Sequence, residues 1–346
     1  MATSVQQAIT LAKEDSNRLK DQIKKIREET DDAKLGDFQS SLKYPTATTN
    51  FKTRKVLTGH GSKIYSAAWS SDSTRLVSAS QDGRLVIWEP YTETKVQMIS
   101  LTSCWVMCVG YSGSGNLVGS GGLDNVCTLH STRQEGRVVR ELNAHTGYLS
   151  CCKFIGTGDD RVLTSSGDMS CIVWDVDQGR PIEKFTAHTG DVMSVCISPT
   201  SQDTFVSASV DCTSRVWDIR SGKCVQIFQG HEGDINTVDF LPNGMGFATG
   251  SDDSSIRLFD LRANRHLVTY VDESLRTGVT STCFSHSGRY LFASYDDGGV
   301  IVWDTIGARS LQNLVGHENR VSSLSISPNG HALCTASWDK TLRIWA

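Results

Sequence analysis

Across residues 1–33 the apolar side chains return at intervals of three and four. Val5, Ile9, Ala12, Leu19, Ile23 and Ile26 fall on one stripe, with Ser16 interrupting it. Taking Ile9, Ser16 and Ile23 as a positions makes Val5, Ala12, Leu19 and Ile26 the d positions, the seven-residue repeat of a coiled coil. No Gly or Pro breaks the segment, and the remaining positions are largely charged. So narrow a stripe suits one partner helix better than a globular core. Residues 34–50 lose the period, and Gly36 and Pro45 mark them as a linker.

From Phe51 the pattern changes to short alternating segments divided by Gly, Asn, Asp and Ser. In the fourth unit the alternation predicts strands over 192–197, 204–208, 214–217 and 224–228, with turns at Ser198-Pro199 and Ser221-Gly222. An aspartate recurs through this region at almost even intervals, as Asp82, Asp124, Asp168, Asp211, Asp253, Asp297 and Asp339. Six residues after each stands Trp88, His130, Trp174, Trp217, Phe259, Trp303 or Trp345. His60, His145, His188, His231 and His317 stand upstream of five of them, at an offset constant to within one position. A period of about 40–45 residues with Gly-His upstream and Trp-Asp downstream marks one four-stranded propeller blade. The expected fold is therefore all-β: a seven-bladed propeller over 51–346, after a coiled-coil helix at 1–33 and a linker at 34–50. The last repeat stops at Trp345, after its third strand. The spare segment at 51–58 should supply the fourth and close the ring, leaving no open edge.

A Ser or Thr four residues before the aspartate completes a recurring polar set. Full sets are His60/Ser78/Asp82/Trp88, His145/Thr164/Asp168/Trp174, His188/Ser207/Asp211/Trp217 and His317/Thr335/Asp339/Trp345. The fifth repeat keeps His231, Thr249 and Asp253 but has Phe259 for the indole. The sixth has Ala293 and no histidine, and the second has no histidine and puts His130 at the tryptophan position. Ser, His and Asp together suggest a hydrolase triad. Repetition argues against it, because an active site needs one exposed nucleophile rather than equivalent copies in successive blades. These groups can instead satisfy one another as a buried chain of hydrogen bonds. No P-loop, GxSxG, HExxH or kinase motif is present, so neither a catalytic role nor a cofactor is expected.

Composition narrows the picture further. A net charge of −4 argues against a general nucleic-acid binder. The polar start has no apolar leader, and no run of 18 apolar residues occurs, so the expectation is a cytoplasmic chain. The eleven cysteines lie mostly in apolar runs with no Cys-x-x-Cys pair, which reads as small buried hydrophobes rather than disulfides or zinc ligands.

Positions that break the repeat pattern carry the identity. Three and five residues past each histidine, at the rim of one face, stand Lys63 and Tyr65, Tyr148 and Ser150, Asp191 and Met193, Asp234 and Asn236, and Arg320 and Ser322. Just before the repeat aspartates stand Leu123, Asp252 and Trp338, and the second repeat adds Trp105 and Met107. Trp, Tyr and Met among scattered charges is interface composition.

The stretches from His60 to Tyr65, Ser103 to Met107, Gly121 to Asn125, His145 to Ser150 and His188 to Met193, with Asp234-Ile-Asn236 and Ser337-Trp-Asp339, resemble the beta subunits of heterotrimeric G proteins. The likeness covers the whole chain, including the missing histidines of repeats two and six. Gly61, Cys104 and Arg84 stand where that family usually has Leu, Ser and Lys. The resemblance implies an obligate dimer with a small gamma subunit, paired through the Val5, Ile9, Ala12, Leu19, Ile23 and Ile26 stripe. It also implies a GDP-bound alpha subunit and, after its release, effectors, acting under a transmembrane receptor that this chain meets indirectly. The implied alpha and effector surface is Lys63, Tyr65, Lys95, Trp105, Met107, Leu123, Asn125, Tyr148, Asp191, Met193, Asp234, Asn236, Asp252 and Trp338. The segment Arg343-Ile-Trp-Ala346 has no prenylation cysteine. Residence on the inner face of the plasma membrane would then come from lipids on gamma and alpha. A generic WD-repeat scaffold, without an obligatory helical partner, is the alternative the residues leave open, and so is a divergent beta type paired to a gamma-like domain.

Overall fold

A computed structural model describes residues 13–22, 25, 49–134, 136–272 and 275–346. The chain divides into two units, Met1–Thr48 and Thr49–Ala346. In the first, residues 13–22 are helical. Arg18 pairs with Asp15 across one turn at 3.6 Å, and Leu19 is exposed. Val5, Ile9, Ala12, Ile23 and Ile26 lie outside the residues whose side chains are described.

The second unit is seven four-stranded antiparallel sheets. Blades one to six span residues 64–100, 106–142, 149–186, 192–228, 235–270 and 279–314 in simple up-and-down order. In the fourth blade the strands run Val192–Ile197, Thr204–Ser209, Ser214–Asp218 and Lys223–Phe228, a residue longer at one end than the alternation indicates in three cases. Each second strand is buried almost throughout, as in Leu76–Ser80, and each third strand for more than half its residues, while the outer strands are largely exposed, as in Arg180–Thr186, whose one buried residue is Phe185. The cores sit between neighbouring blades: Trp88, Leu76 and Val86 of blade one pack with Ala336, Leu342 and Ile344 of blade seven. Burying one such aliphatic side chain contributes about 1.5–3 kcal/mol.

The seventh sheet joins the two ends of the unit. Strand Thr53–Thr58 pairs antiparallel with Thr341–Trp345, and the amides of Lys52 and Ala346 each donate to the other's carbonyl at 3.2 Å. Just before the strand, Phe51 is clamped by blade six. Its N–H donates to the Gln312 side chain at 3.0 Å, its carbonyl accepts from the same amide at 2.8 Å, and its ring meets Phe292 edge-on at 5.5 Å. Deleting residues 51–58 would bare the Thr341–Trp345 edge and the Tyr290/Phe292 surface together. The expected result is loss of the single cooperative melt and appearance of larger species by size-exclusion chromatography. A monomeric variant melting within a few degrees of the parent would refute this.

Two local devices shape the face of the ring. The residue after every repeat aspartate has a positive φ: Gly83, Asn125, Met169, Cys212, Ser254, Gly298 and Lys340 lie between 60° and 90°. In each case the aspartate accepts the N–H two residues on, at 2.9–3.4 Å. That is an Asx turn, which holds the left-handed residue in place. It accounts for an aspartate in the two blades that lack a histidine. The second device is a β-bulge in every inner strand. Pairing skips Tyr65, Met107, Ser150, Met193, Asn236, Thr280 and Ser322 in turn. A bulge re-aims its extra residue, here at the same point of all seven inner strands.

Candidate partner-binding face

The recurring polar set forms a chain inside each complete blade. In blade four His188 Nδ1 lies 2.8 Å from Asp211 Oδ2 and its Nε2 2.7 Å from Ser207 Oγ, which also accepts from Trp217 Nε1 at 2.8 Å. The corresponding distances are 3.4, 2.7 and 2.8 Å for His60/Asp82/Ser78/Trp88, and 2.9, 2.8 and 2.8 Å for His145/Asp168/Thr164/Trp174. For His317/Asp339/Thr335/Trp345 they are 2.7, 2.6 and 3.0 Å. In blade five His231 holds Asp253 at 2.8 Å and Thr249 at 2.7 Å, and Phe259 fills the indole's place. The histidines of blades one, three, four and five are buried, and in blade seven the ring of His317 is. The hydroxyl of each complete set is spent on two partners within the sheet, which is a structural use of Ser, His and Asp.

Burial would raise the Asp168 carboxyl, but hydrogen bonds from Ser170, His145 and the Thr146 amide outweigh it and hold the group down at about 2. Asp211, Asp253 and Asp339 are held well below the usual carboxylate range in the same way. Burial keeps His60 and His145 below their ordinary value against the pull of their aspartates. For a depressed carboxylate the stabilisation is present above the unfolded value, about 3.9, and is lost as pH falls through the folded one. For a depressed histidine it is present above about 6.5 and declines below it. Both signs agree. Melting temperature should fall steadily from pH 7 to pH 5 and more steeply from pH 4 to pH 2; a rise on acidification below pH 4 would contradict the network.

The bulged residues divide into two sorts. Ser150 donates to the carbonyl of Val192, Asn236 to Val279 at 3.0 Å, Thr280 to Val321 at 2.5 Å and Ser322 to Ile64 at 2.7 Å. Each of these stitches its blade to the next. Among the described residues, Tyr65, Met107 and Met193 make no such bond. Where the ring forgoes the stitch, blades one, two and four present a large side chain at the mouth of the central channel instead.

Around that arc the expected interface residues come together. The Tyr65 and Trp105 rings stack at 6.3 Å, and Tyr65 meets Trp338 edge-on at 5.9 Å. Lys63 Nζ sits 3.9 Å over the Trp338 ring, and the Arg320 guanidinium 5.0 Å from it. Trp105 is 44% exposed and holds a φ of 65°, a left-handed conformation that a bulky residue seldom adopts. Gly122 makes room for it, since a Cβ there would collide with the Trp105 carbonyl. Across the channel Tyr148 donates to Asp191 at 2.9 Å and to Met193 Sδ at 3.5 Å, and burial with the nearby Asp191 pushes its hydroxyl up to about 12. Asn236 donates to Asp252 at 2.5 Å, and the Asp252 amide donates to the Asp234 carbonyl at 2.9 Å. Leu123 is exposed, and Asn125 reaches the Thr146 carbonyl at 3.4 Å. Lys95 stands outside this cluster, on an outer strand, with its Nζ 5.7 Å from the Trp88 ring and beside Gly59.

One member of the face was missed in the sequence. Asp296 pairs with Arg320 at 3.0 Å and so fixes the guanidinium beside Trp338. It directly precedes Asp297, the same register as Leu123, Asp252 and Trp338, and that position would have found it. Among the described residues no group of three or more His, Cys, Asp or Glu is arranged to hold a metal ion, and no helix is long and apolar enough to cross a membrane. The cysteines are free thiols.

Seven blades, five of them holding the buried histidine, aspartate and hydroxyl chain, with one aromatic and basic face around a channel mouth, define a WD-repeat propeller. A family model described as "G protein beta WD-40 repeat protein" matches residues 7–346. A Dictyostelium discoideum protein named "Guanine nucleotide-binding protein subunit beta" is 49% identical over 350 residues, with both chains covered in full. "Guanine nucleotide-binding protein subunit beta-5b" of Danio rerio is 43% identical over 301 residues, 85% of this chain and 76% of that one. The chain belongs to the G protein beta family of WD-repeat proteins.

Proposed function

We propose that this chain forms a dimer with a gamma subunit, that the face around Trp105 binds an alpha subunit in its GDP state, and that the same face serves effectors once alpha has left. The observation that carries this reading is the Lys63, Tyr65, Trp105 and Trp338 cluster, gathered on one face of a G protein beta chain. Aromatic and basic side chains in a packed cluster are the residue types that dominate interface energetics. Leu123, Asn125, Tyr148, Asp191, Met193, Asp234, Asn236 and Asp252 extend the surface around the channel mouth, with Met107 within it and Lys95 at its edge. The mechanism is competition and population shift. A nucleotide state that reshapes the alpha segment seated here removes its differential affinity, and the surface becomes free. The heptad stripe of residues 5–26 would pair with gamma. Membrane residence would come from lipids on gamma and alpha. No catalytic role, cofactor or nucleic-acid partner is proposed.

The test is a pulldown of the chain, co-expressed with a gamma subunit, against an alpha subunit loaded with GDP or with a GTP analogue. Binding in the GDP state alone is the expected result. Soluble folding without gamma and indifference to nucleotide would sink the reading and favour a general scaffold.

A further inference from the structure

Blade two lacks the histidine of the polar chain and carries Trp105 of the aromatic cluster. At the offset upstream of Asp124 where a histidine would stand are Thr102 and Leu101. Both line a pocket of about 80 Å³ beside Trp105 that also reaches Ser120, Asp124, His130 and Glu141. By the same measure one water needs roughly 10–15 Å³, so the space exceeds a single solvent site.

Beside the hydroxyls of Ser100, Thr102, Ser103, Ser120 and Thr128, the pocket holds one buried acceptor that has no partner among the described residues. His130 Nδ1 lies 3.1 Å from the Gly136 carbonyl, so that nitrogen carries the proton and donates, leaving Nε2 as a lone-pair acceptor. Nε2 has no partner among the described residues, and His130 is only 2% exposed. Burial keeps the ring below its ordinary pKa, against the Gly136 carbonyl and Glu141, which favours the neutral form. In the blades that keep their histidine, that ring and the amide beside it sit on Oδ2 of the repeat aspartate. Among the described residues Asp124, which is exposed, lacks both and accepts only a 3.4 Å contact from the Val126 amide. Glu141, exposed at the pocket mouth, adds a second carboxylate.

We infer that this pocket receives a primary ammonium group, the side-chain head of a lysine on the protein that docks over Trp105. Three N–H donors on a tetrahedral centre match Asp124, His130 Nε2 and the Ser120 hydroxyl, and the methylene stem passes along Leu101 and the Trp105 ring. A planar guanidinium presents a wider fork that needs an open bidentate carboxylate. A free lone pair and two carboxylates in one pocket favour a cation over a water cluster. The source of the lysine rests on the reading given under Proposed function; the pocket itself does not.

The probe is n-butylammonium, titrated into the full chain co-expressed with gamma and read from the His130 ring signals by NMR. 1-Pentanol is the neutral match. Saturable shifts with the amine alone are expected, with an apparent Kd raised about tenfold or more by Asp124→Asn and about threefold by Glu141→Gln. Glu141 is exposed, so its variant keeps the test valid if Asp124→Asn fails to fold. Equal, unsaturable responses to amine and alcohol, or an unchanged Kd in both variants, would overturn the inference. Binding of GDP-loaded alpha to the same variants separates the two readings. Nucleotide-dependent binding that both variants leave intact overturns the lysine receptor alone. No alpha binding in either state, with the amine still bound, overturns the proposed function and leaves the ammonium site standing.

Discussion

Replacing Asp211 with alanine should lower the stability of the propeller by about 3 kcal/mol, without touching its exposed face. Asp211 accepts from His188 Nδ1 at 2.8 Å, from the Thr189 and Thr213 amides at 3.0 Å each, and from the Thr213 hydroxyl at 2.6 Å. Alanine removes all four acceptor contacts. It orphans a buried imidazole, and it removes the Asx turn that holds Cys212 at a φ of 60°. Unsatisfied buried donors cost about 1–3 kcal/mol each, and partial exposure of the Thr189 amide brings the sum down. At this chain size the loss corresponds to a drop of about 5 °C in melting temperature. Asp297→Ala is the control. Blade six has no histidine, so among the described residues that aspartate supports its turn alone, through the Gly299 amide at 3.0 Å. Its loss should be less than half as large. Equal losses at the two positions would show that the turn, and not the polar chain, sets the stability.

Trp105→Ala should have the opposite profile. The melting temperature should stay within about 2 °C of the parent, because the side chain is 44% exposed and contributes little to the core. Affinity for a GDP-loaded alpha subunit should fall by about 2 kcal/mol or more, roughly 30-fold, the range of a central aromatic anchor. Loss of the indole removes its own contact area and also the stacking partner of Tyr65, which loosens the edge of the Trp338 cluster. Isothermal titration with the gamma-paired chain measures this directly. An affinity within twofold of the parent would remove Trp105 from the interface. A shared drop in melting temperature with Asp211→Ala would mean that neither position separates folding from binding.

Much of this was legible because a repeat protein states its rules many times. The spacing of seven aspartates, with histidine upstream and tryptophan downstream, gives blade number and strand order before any coordinate is known. The rim positions were legible too, since counting three and five past each histidine finds Lys63, Tyr65, Asp191, Met193, Asp234 and Asn236. Strand ends were less so. The closing strand runs Thr53–Thr58, and Phe51 serves as a clamp under blade six rather than as ladder. Asp296 escaped notice because a charge before a repeat aspartate looks like ordinary solvated surface until Arg320 is placed beside it.

By itself the sequence determines the number of blades, the residues of the buried chains, and the positions at which each blade can differ from its neighbours. These follow from short-range spacing, because a turn or a strand period is set by residues a few places apart. Only the tertiary structure decides where the inner strands bulge, which bulged residues stitch to the next blade, and how Gly122 admits Trp105 in a left-handed turn. It alone turns the missing histidine of blade two into a pocket beside that ring. The stitches depend on carbonyls of the adjacent blade, while the bulges, the Gly122 fit and the pocket depend on neighbouring strands meeting across one sheet. The donors and acceptors of the stitches are matched only when the sheets pack around the ring.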